Sequence, residues 1–417
     1  MTVMPVSIDD VQAAAERLRD VVTRTPLERS ERLSAMVGAE VWLKREDLQA
    51  VRSYKLRGAY NFIASLSEAD RANGVVCASA GNHAQGVAYT CRRLGVRGHV
   101  VLPRTTPRQK RQRIAALGGP HVTVVVEGHS YEESHEVALA VATQAGSVLV
   151  PPFDHPAVIA GQGTVGIEIL DQLGRAPDVV VVPVGGGGLL AGVAVAGAAL
   201  APRQRTIGAE PAGAPSMRAA LDAGEPVALA SIDTFVDGAA VLRVGTQTFE
   251  IVKELVHDVV AVPEGSVCTT MLELYQNDGI IAEPAGALTV AALSNGLEIP
   301  AGASVVCIVS GGNNDISRYG EIVERSLVHE GLKHYFLVEF PQEPGALRSF
   351  LDDVLGPTDD IVLFEYVKKN NRETGPALVG IEIALPEDLA PLLERMKTSA
   401  LRIEPVPAGS PAFTFLV

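Results

Sequence analysis

Short runs of valine and isoleucine alternate, along the first three quarters of the chain, with longer stretches whose apolar residues recur at helical spacing. This alternation predicts parallel strands covered by helices, an α/β architecture. Continuous apolar runs such as VVVVP indicate strands buried on both faces. Helices are predicted from Ser7 to Val22 and from Pro107 to Leu117. Predicted strands occupy residues 74–79, 99–103, 121–127, 178–183, 205–210, 258–263 and 303–310.

The pattern changes near Glu330-Gly331, where we place a domain boundary. Beyond it the predicted order is βαββαβ, and the middle strands alternate apolar and polar residues as in a sheet covered on one face. The predicted elements lie at 334–340, 344–355, 361–369, 377–385, 386–399 and 401–407. We therefore predict one domain at 1–329, with a small subdomain at about 44–155 inserted in it, and a second domain at 330–417.

Composition limits the classes of partner. The 35 basic and 49 acidic residues give a net charge of -14, which disfavours nucleic acid and anionic membrane surfaces and favours a small molecule. The cysteines, Cys77, Cys91, Cys268 and Cys307, are scattered without metal-ligand spacing, which predicts buried, reduced thiols. The start of the chain lacks the features of a secretion signal, and we predict a cytoplasmic protein.

A lysine that follows an aromatic residue, in Ser53-Tyr54-Lys55, is the first candidate for chemistry. A lysine nucleophile needs a lowered pKa, which burial or a neighbouring cation supplies. Tyr54, Arg52 and Arg57 could provide that environment. They are equally compatible with an ordinary helix start, where the lysine is a solvated surface residue.

The loop Ser79-Ala80-Gly81-Asn82-His83 joins a predicted strand to a predicted helix. Backbone N–H groups at a helix N-terminus bind anions, so a substrate carboxylate is one interpretation. The other is an ordinary helix start capped by the side chain of Asn82 or Ser79. His83 by itself is more typical of a packed, hydrogen-bonded histidine than of a catalyst.

Four glycines, Gly185-Gly186-Gly187-Gly188, stand between a buried strand and a helix that begins with Leu189. Because they lack side chains, their N–H groups can converge on a phosphate. The alternative is a tight turn with close helix packing, although four glycines carry a large entropic cost for turning alone. Neither a nucleotide P-loop nor a dinucleotide fingerprint matches the spacing, but Glu210 after the next strand keeps the dinucleotide alternative open.

The segment Ser310-Gly311-Gly312-Asn313-Asn314 ends another predicted strand. A neutral hydroxyl at this place suits a heteroaromatic nitrogen, whereas an isolated SGGN sequence is more often a turn. Ligands of open α/β sheets gather at the carboxyl ends of strands, where the glycine loop, the Ser79 loop and this segment all lie.

Taken together and in order, SYKLRGAY, SAGNHAQG, GGGGL and SGGN resemble the pyridoxal-phosphate-dependent serine/threonine dehydratases, which have the tryptophan-synthase-β-like fold (fold type II). The resemblance covers the whole chain. Within that family the chain is most similar to the biosynthetic L-threonine dehydratases, because the C-terminal βαββαβ unit resembles their ACT-like regulatory domain. A single such unit is typical of the short form.

The resemblance implies a role for each candidate segment. Lys55 would form the Schiff base with the aldehyde of pyridoxal 5′-phosphate, and Asn82 would donate a hydrogen bond to its 3′ oxygen. The loop from Ser79 to His83 would hold the substrate carboxylate. The segment Gly185–Leu189 would cradle the phosphate, and Ser310 would face the pyridine nitrogen.

The implied reaction is β-elimination from L-threonine to give 2-oxobutanoate and ammonia, the first step of isoleucine biosynthesis. L-Serine stays open as a second substrate. The resemblance also implies a homotetramer that isoleucine inhibits and valine reactivates. Serine racemases similar to this family carry a second serine where this chain has Ala80, which argues against racemisation. Ser216 replaces an acidic ligand near the cation site of some relatives, so we predict no divalent metal.

Other functions compete with this interpretation. A catabolic serine/threonine dehydratase or a threonine synthase would use the same cofactor chemistry. A dinucleotide-dependent oxidoreductase would use the glycine loop and Glu210 but leave Lys55 and Ser310 without a role. A non-catalytic amino-acid sensor would bind isoleucine through the C-terminal unit and release no keto acid.

Overall fold

The computed structural model describes residues 4–368 and 371–407, together with 410, 413 and 416. By their packing, the residues form two compact units, the first ending at Asn314 and the second beginning at Asp315. This division falls one helix earlier in the chain than the boundary expected near Glu330-Gly331, because the helix Tyr319–His329 packs within the second unit.

The first unit alternates short strands with helices, as the hydrophobic pattern predicts. Its strands are β1 Leu27–Arg29, β2 Glu40–Arg45, β3 Val75–Ala78, β4 Gly98–Leu102, β5 Val122–Val126, β6 Val148–Leu149, β7 Val179–Pro183, β8 Arg205–Pro211, β9 Asp258–Val262 and β10 Ser304–Val309. Its helices are α1 Ile8–Leu18, α2 Glu31–Val37, α3 Lys55–Ser65, α4 Glu68–Asn73, α5 Asn82–Leu94, α6 Arg108–Gly118, α7 Tyr131–Ala145, α8 Pro156–Leu173, α9 Gly188–Leu200, α10 Ser216–Ala223, α11 Thr246–Leu255, α12 Glu264–Asp278 and α13 Pro284–Ala291. None of the described helices is long and apolar enough to span a lipid bilayer.

The strands of the first unit form two sheets. The larger has the order β1-β2-β10-β7-β8-β9 and is parallel except for β1, which pairs antiparallel with β2. The smaller has the order β5-β4-β3-β6 and is parallel throughout. The subdomain expected at about 44–155 therefore starts inside β2, a strand of the larger sheet. Two of the strands that the hydrophobic pattern missed, β1 and β6, are only three and two residues long.

Backbone contact between two helices positions the glycine loop. A Cβ atom on Gly192 of α9 would lie 2.4 Å from the carbonyl oxygen of Ile159 in α8, and one on Gly163 would lie 2.7 Å from the carbonyl oxygen of Gly192. Small residues at these positions let the two helix backbones touch. Because α9 starts at the glycine loop, this contact fixes where the loop stands over the larger sheet.

The second unit has the predicted βαββαβ order, preceded by one helix. Its elements are α14 Tyr319–His329, β11 Lys333–Pro341, α15 Ala346–Asp353, β12 Asp360–Tyr366, β13 Thr374–Glu382, α16 Leu389–Thr398 and β14 Arg402–Pro405. The sheet order is β12-β13-β11-β14, and all pairs are antiparallel. Phe336, Phe340 and Phe350 are buried in its core. Lys369, the predicted end of the second strand, lies outside the described residues.

Candidate active site

A cavity of about 740 Å³ lies at the carboxyl ends of β3, β7 and β10 in the first unit. Its wall contains every residue that the sequence singled out for the site, namely Lys55, Ser79, Ala80, Gly81, Asn82, His83, Gly185, Gly186, Gly187, Gly188, Leu189 and Ser310. Segments up to 255 residues apart along the chain thus share one cavity. The carboxyl ends of parallel strands are where such sites form.

Lys55 is the first residue of α3 and presents its amine to the cavity wall. Its Nζ atom donates a hydrogen bond to the Pro152 carbonyl oxygen at 3.0 Å. Burial lowers the pKa of this amine to about 8, with the negative charge of Glu283 acting in the opposite direction. A lysine with that pKa is neutral, and therefore nucleophilic, in a much larger fraction of molecules at neutral pH than a surface lysine is.

The loop that carries the lysine pairs through its backbone with the loop after β10. The N–H of Tyr54 donates to the Ser310 carbonyl oxygen, and the N–H of Gly312 donates to the Arg52 carbonyl oxygen, each at 3.0 Å. These two bonds fix the distance between the segment that carries Lys55 and the segment that carries the Ser310 hydroxyl.

Arg57 has a structural place that the sequence did not predict. Its guanidinium is fully buried and donates to Glu46 at 2.8 Å and to Glu168 at 2.7 Å, while Lys44 donates to Glu168 at 2.6 Å. Two cations and two carboxylates therefore balance in this buried ion cluster. The cluster ties α3 to β2 and α8. The low pKa of Lys55 comes from burial, and the charge of Arg57 does not contribute to it.

The loop between β3 and α5 lacks the ordinary cap that the sequence offered as an alternative. The N-cap residue of α5 is Gly81, and no side chain caps the helix. Ser79 accepts a hydrogen bond from the N–H of Gly81 at 3.2 Å, and the Asn82 amide bonds elsewhere. The first N–H groups of α5 therefore lie at the cavity wall and are not capped by a side chain. An anion site requires such uncapped N–H groups.

The His83 imidazole is a packed group. It is buried, and its Nε2 atom lies 3.0 Å from the carbonyl oxygen of Val150. Burial lowers the pKa of His83 to about 3, so the ring is neutral near pH 7. The part of His83 that remains suited to a substrate carboxylate is its backbone N–H at the start of α5.

The glycine loop is both a closely packed turn and a possible phosphate-binding loop. A Cβ atom on Gly186 would lie 2.4 Å from the Phe153 ring, and Gly187 has a φ of 91°, so side chains are excluded for packing and for backbone conformation. Within the part of the chain that the structure describes, no hydrogen-bond acceptor takes the N–H groups of Gly185, Gly186 and Gly187. Such N–H groups beside the N-terminus of α9 form an anion cradle.

Sequence reasoning missed Glu283, the N-cap residue of α13. Its side chain is buried in the cavity wall, and Asn82 Nδ2 donates to its Oε1 atom at 2.5 Å. Burial, reinforced by the charge of Asp237, raises the pKa of Glu283 to about 7. A carboxylate directly before a proline at a helix start, in EPAGA, was the available signal.

Glu210 does not support a dinucleotide site. Its carboxylate is buried and accepts the N–H groups of Met217 and Arg218, both at 2.9 Å, so it caps α10 and is not open to a ribose. Burial raises the pKa of Glu210 to about 7. Among the described residues, no group of three His, Cys, Asp or Glu side chains is arranged to hold a metal ion.

Comparison with known proteins decides between the cofactor classes. Residues 18–311 match the family described as pyridoxal-phosphate dependent enzyme, and residues 324–416 match the C-terminal regulatory domain of threonine dehydratase. The chain is 58% identical over 410 residues to the biosynthetic L-threonine dehydratase of Mycobacterium tuberculosis, a match that covers 98% of this chain and 95% of that protein. The chain belongs to the biosynthetic L-threonine dehydratase family of pyridoxal-phosphate dependent enzymes.

More distant members of this threonine dehydratase family agree in sequence and in fold. The biosynthetic L-threonine dehydratase of Bacillus subtilis is 48% identical over 412 residues, covering 99% of this chain and 98% of that one. The processed form of threonine deaminase isoform 2 from Solanum lycopersicum superposes with a TM-score of 0.72 at 41% identity, over 76% of this chain and 92% of that one. The fold type II assignment and the C-terminal regulatory unit are therefore confirmed.

The residues of this threonine dehydratase family member fit pyridoxal phosphate, the cofactor of its family. The cavity holds a primary amine with a lowered pKa, a glycine loop with N–H groups open to a phosphate, and the hydroxyl of Ser310, which is 2% exposed. These are the groups that the aldehyde, the phosphate and the ring nitrogen of the cofactor each require.

Proposed function

We propose that the chain is an L-threonine ammonia-lyase that converts L-threonine to 2-oxobutanoate and ammonia, at the first step of isoleucine biosynthesis in the cytoplasm. The observation that carries this proposal is the shared cavity, in which the Lys55 amine, the uncapped start of α5 and the glycine loop meet. The family membership supports the same substrate.

Each segment of the cavity has a task in this reaction. Bound pyridoxal phosphate supplies an aldehyde that condenses with amines and a ring that delocalises the electrons released at the substrate Cα. The Nζ atom of Lys55 holds the cofactor and then takes the Cα proton of threonine. The backbone N–H groups at the start of α5 bind the substrate carboxylate, and Gly185–Leu189 binds the phosphate. Asn82 and Ser310 orient the ring through its 3′ oxygen and its nitrogen.

Two uncharged side chains direct the outcome toward elimination. Ser310 offers a neutral hydroxyl to the ring nitrogen where other enzymes have a carboxylate, so that nitrogen stays unprotonated and withdraws electrons weakly. With a neutral Ser310 hydroxyl at that place, loss of the β-hydroxyl would be favoured over racemisation. Ala80, in the cavity wall, carries no group that could return a proton to the opposite face of Cα.

The rate at which the cofactor-free protein takes up pyridoxal phosphate is expected to rise with pH and to reach half its maximum near pH 8. The amine must be neutral to attack the aldehyde, and the pKa of Lys55 is lowered to about 8 by burial. A rapid-mixing experiment that follows the absorbance of the bound cofactor at several pH values measures this. A midpoint near the ordinary lysine value would contradict the burial argument.

A side-by-side assay of keto-acid formation from L-threonine and L-serine tests the proposed function. We expect 2-oxobutanoate from threonine at a rate at least equal to that of pyruvate from serine. A clear preference for serine would favour the catabolic serine/threonine dehydratase. Isoleucine binding without keto-acid release would favour the amino-acid sensor.

The C-terminal residues 330–417 are proposed to form an ACT-like regulatory domain, and residues 1–329 the catalytic domain of a homotetramer. The match of residues 324–416 to the regulatory domain of threonine dehydratase supports a separate C-terminal regulatory domain, and by packing the second unit begins at Asp315. Regulation would act as a coupling free energy between the two sites, typically about 1–3 kcal/mol.

Isoleucine is expected to lower the initial rate at subsaturating threonine, and valine to restore it. In the coupling range above, the apparent affinity for threonine shifts by about 5–150-fold. Rates measured over a series of isoleucine concentrations, with leucine as the matched control, check this. A rate that isoleucine leaves unchanged would remove the regulatory proposal and leave the catalytic one intact.

A further inference from the structure

Glu283 ends a chain of hydrogen bonds that runs across the cavity wall between the two sheets of the first unit. Asn313 Nδ2 donates both to the Val51 carbonyl oxygen at 2.8 Å and to Asn82 Oδ1 at 2.7 Å. Asn82 Nδ2 then donates to Glu283 Oε1 at 2.5 Å. Asn82 comes from the loop after β3 in the smaller sheet, whereas Glu283 and Asn313 belong to loops of the larger sheet.

This series of hydrogen bonds is compatible with only one orientation of the Asn82 amide. The Val51 carbonyl oxygen can only accept, so the Asn313 side chain must present its NH₂ group to Asn82. If the Asn82 amide were reversed, its NH₂ group would meet the NH₂ group of Asn313 and its oxygen would meet the Glu283 carboxylate. In the observed orientation, one hydrogen of Asn82 Nδ2 is bonded to Glu283 and the second remains for a further acceptor.

The surroundings of Glu283 hold its carboxylate in place. The side chain is 6% exposed, and the backbone N–H of Glu283 donates to the Gly311 carbonyl oxygen at 3.1 Å. A Cβ atom on Gly311 would lie 2.1 Å from Glu283 Oε1, so the glycine of the SGGN segment leaves the space that the carboxylate fills. The carboxylate therefore has a built position beside Asn82 and is not a mobile surface group.

We propose that Glu283 is a positioning residue that fixes the Asn82 amide, so that its remaining N–H points to the 3′ oxygen of pyridoxal phosphate. This inference rests on the proposed role of Asn82 in the site. Glu283 touches neither the substrate nor the cofactor in this role. Its negative charge also raises the pKa of Lys55. The positioning effect is the part that passes through the hydrogen bond to Asn82, and it makes the two residues energetically coupled.

A double-mutant cycle on the full-length chain tests the coupling, with the dissociation constant of pyridoxal phosphate measured by equilibrium dialysis of cofactor-free protein. Asn82→Ala and Glu283→Ala are each expected to weaken binding about tenfold, the typical effect of losing a hydrogen bond that involves a charged group. Because the effect of the Glu283 charge on Lys55 remains, Glu283→Ala in the Asn82→Ala background is expected to weaken binding by less than about threefold, clearly below the tenfold of the single variant. Additive losses, or no loss in either single variant, would overturn the proposal.

Two further variants separate positioning from a general effect on the fold. Glu283→Gln keeps an oxygen that can accept from Asn82 and is expected to bind the cofactor within about threefold of the unsubstituted protein. A tenfold loss in that variant would mean that charge, and not the hydrogen bond, is what matters. Glu132→Ala removes an exposed carboxylate from the rim of the same cavity and is expected to leave binding unchanged.

A cofactor analogue methylated on its 3′ oxygen gives a binding measurement that a folding defect cannot explain. The methyl group blocks the contact with Asn82, so the analogue is expected to bind the unsubstituted protein and Glu283→Ala with affinities that differ by less than about threefold. A tenfold preference for the unsubstituted protein would overturn the proposal. Threonine turnover by the unsubstituted protein is scored separately, so failure of the proposed reaction is distinguishable from failure of this binding cycle.

Discussion

Replacing Lys55 by alanine is expected to lower the rate of 2-oxobutanoate formation from threonine by more than about 1000-fold, because proton transfer by one positioned group contributes about 10²–10⁴-fold by itself. The variant also loses the amine that holds the cofactor. The measurement is a keto-acid assay with saturating pyridoxal phosphate, accompanied by circular dichroism to establish that the variant is folded.

Lys253→Ala is the matched control, since Lys253 is an exposed lysine of the same unit and lies on α11. It is expected to keep the unsubstituted rate. Borohydride reduction followed by peptide mapping should place a pyridoxyl group on Lys55. Retention of more than a tenth of the rate in Lys55→Ala, or a pyridoxyl group on a different lysine, would contradict the assignment.

Arg57→Met is expected to lower the free energy of unfolding of the first unit by about 3–5 kcal/mol, because it leaves a buried charge without its partner. Lys44, Glu46, Glu168 and Arg57 sum to zero charge, and without Arg57 the cluster has one uncompensated carboxylate. Urea unfolding followed by the fluorescence of Trp42 measures the effect, since this single tryptophan of the chain lies on β2.

A second substitution distinguishes charge imbalance from lost packing. Arg57→Met combined with Glu46→Gln restores neutrality and is expected to recover part of the lost stability. Arg19→Ala removes an exposed arginine that pairs with Glu16 and should change stability by less than about 1 kcal/mol. An Arg57→Met variant as stable as Arg19→Ala would show that the cluster does not hold α3 in place.

The main elements of the fold were predictable from the sequence because their signals are local. The valine-rich strands β7 and β10 are buried along their whole length, as their continuous apolar runs predict. The strands β1 and β6 were not predicted because each is too short to show a periodic pattern of apolar residues. Their pairing also depends on strands that are distant in the chain.

The site residues were predictable as separate segments, but their partners were not. Glycine runs and helix starts are visible in the sequence because backbone exposure depends on local residue type. Glu283 gave only the weak EPAGA signal, since its role depends on Asn82, 201 residues earlier in the chain. Arg57 looked like a cation that could activate the lysine, and only the fold places two carboxylates around it.

The sequence by itself determined the α/β class, the βαββαβ unit and the four segments that line the cavity, because apolar periodicity and loop composition are properties of neighbouring residues. The tertiary structure decided which side chains lose water and which charges meet. Burial is what lowers the pKa of Lys55 to about 8 and that of His83 to about 3. Desolvation and long-range hydrogen bonds depend on the packing of the whole unit, so no local pattern could reveal them.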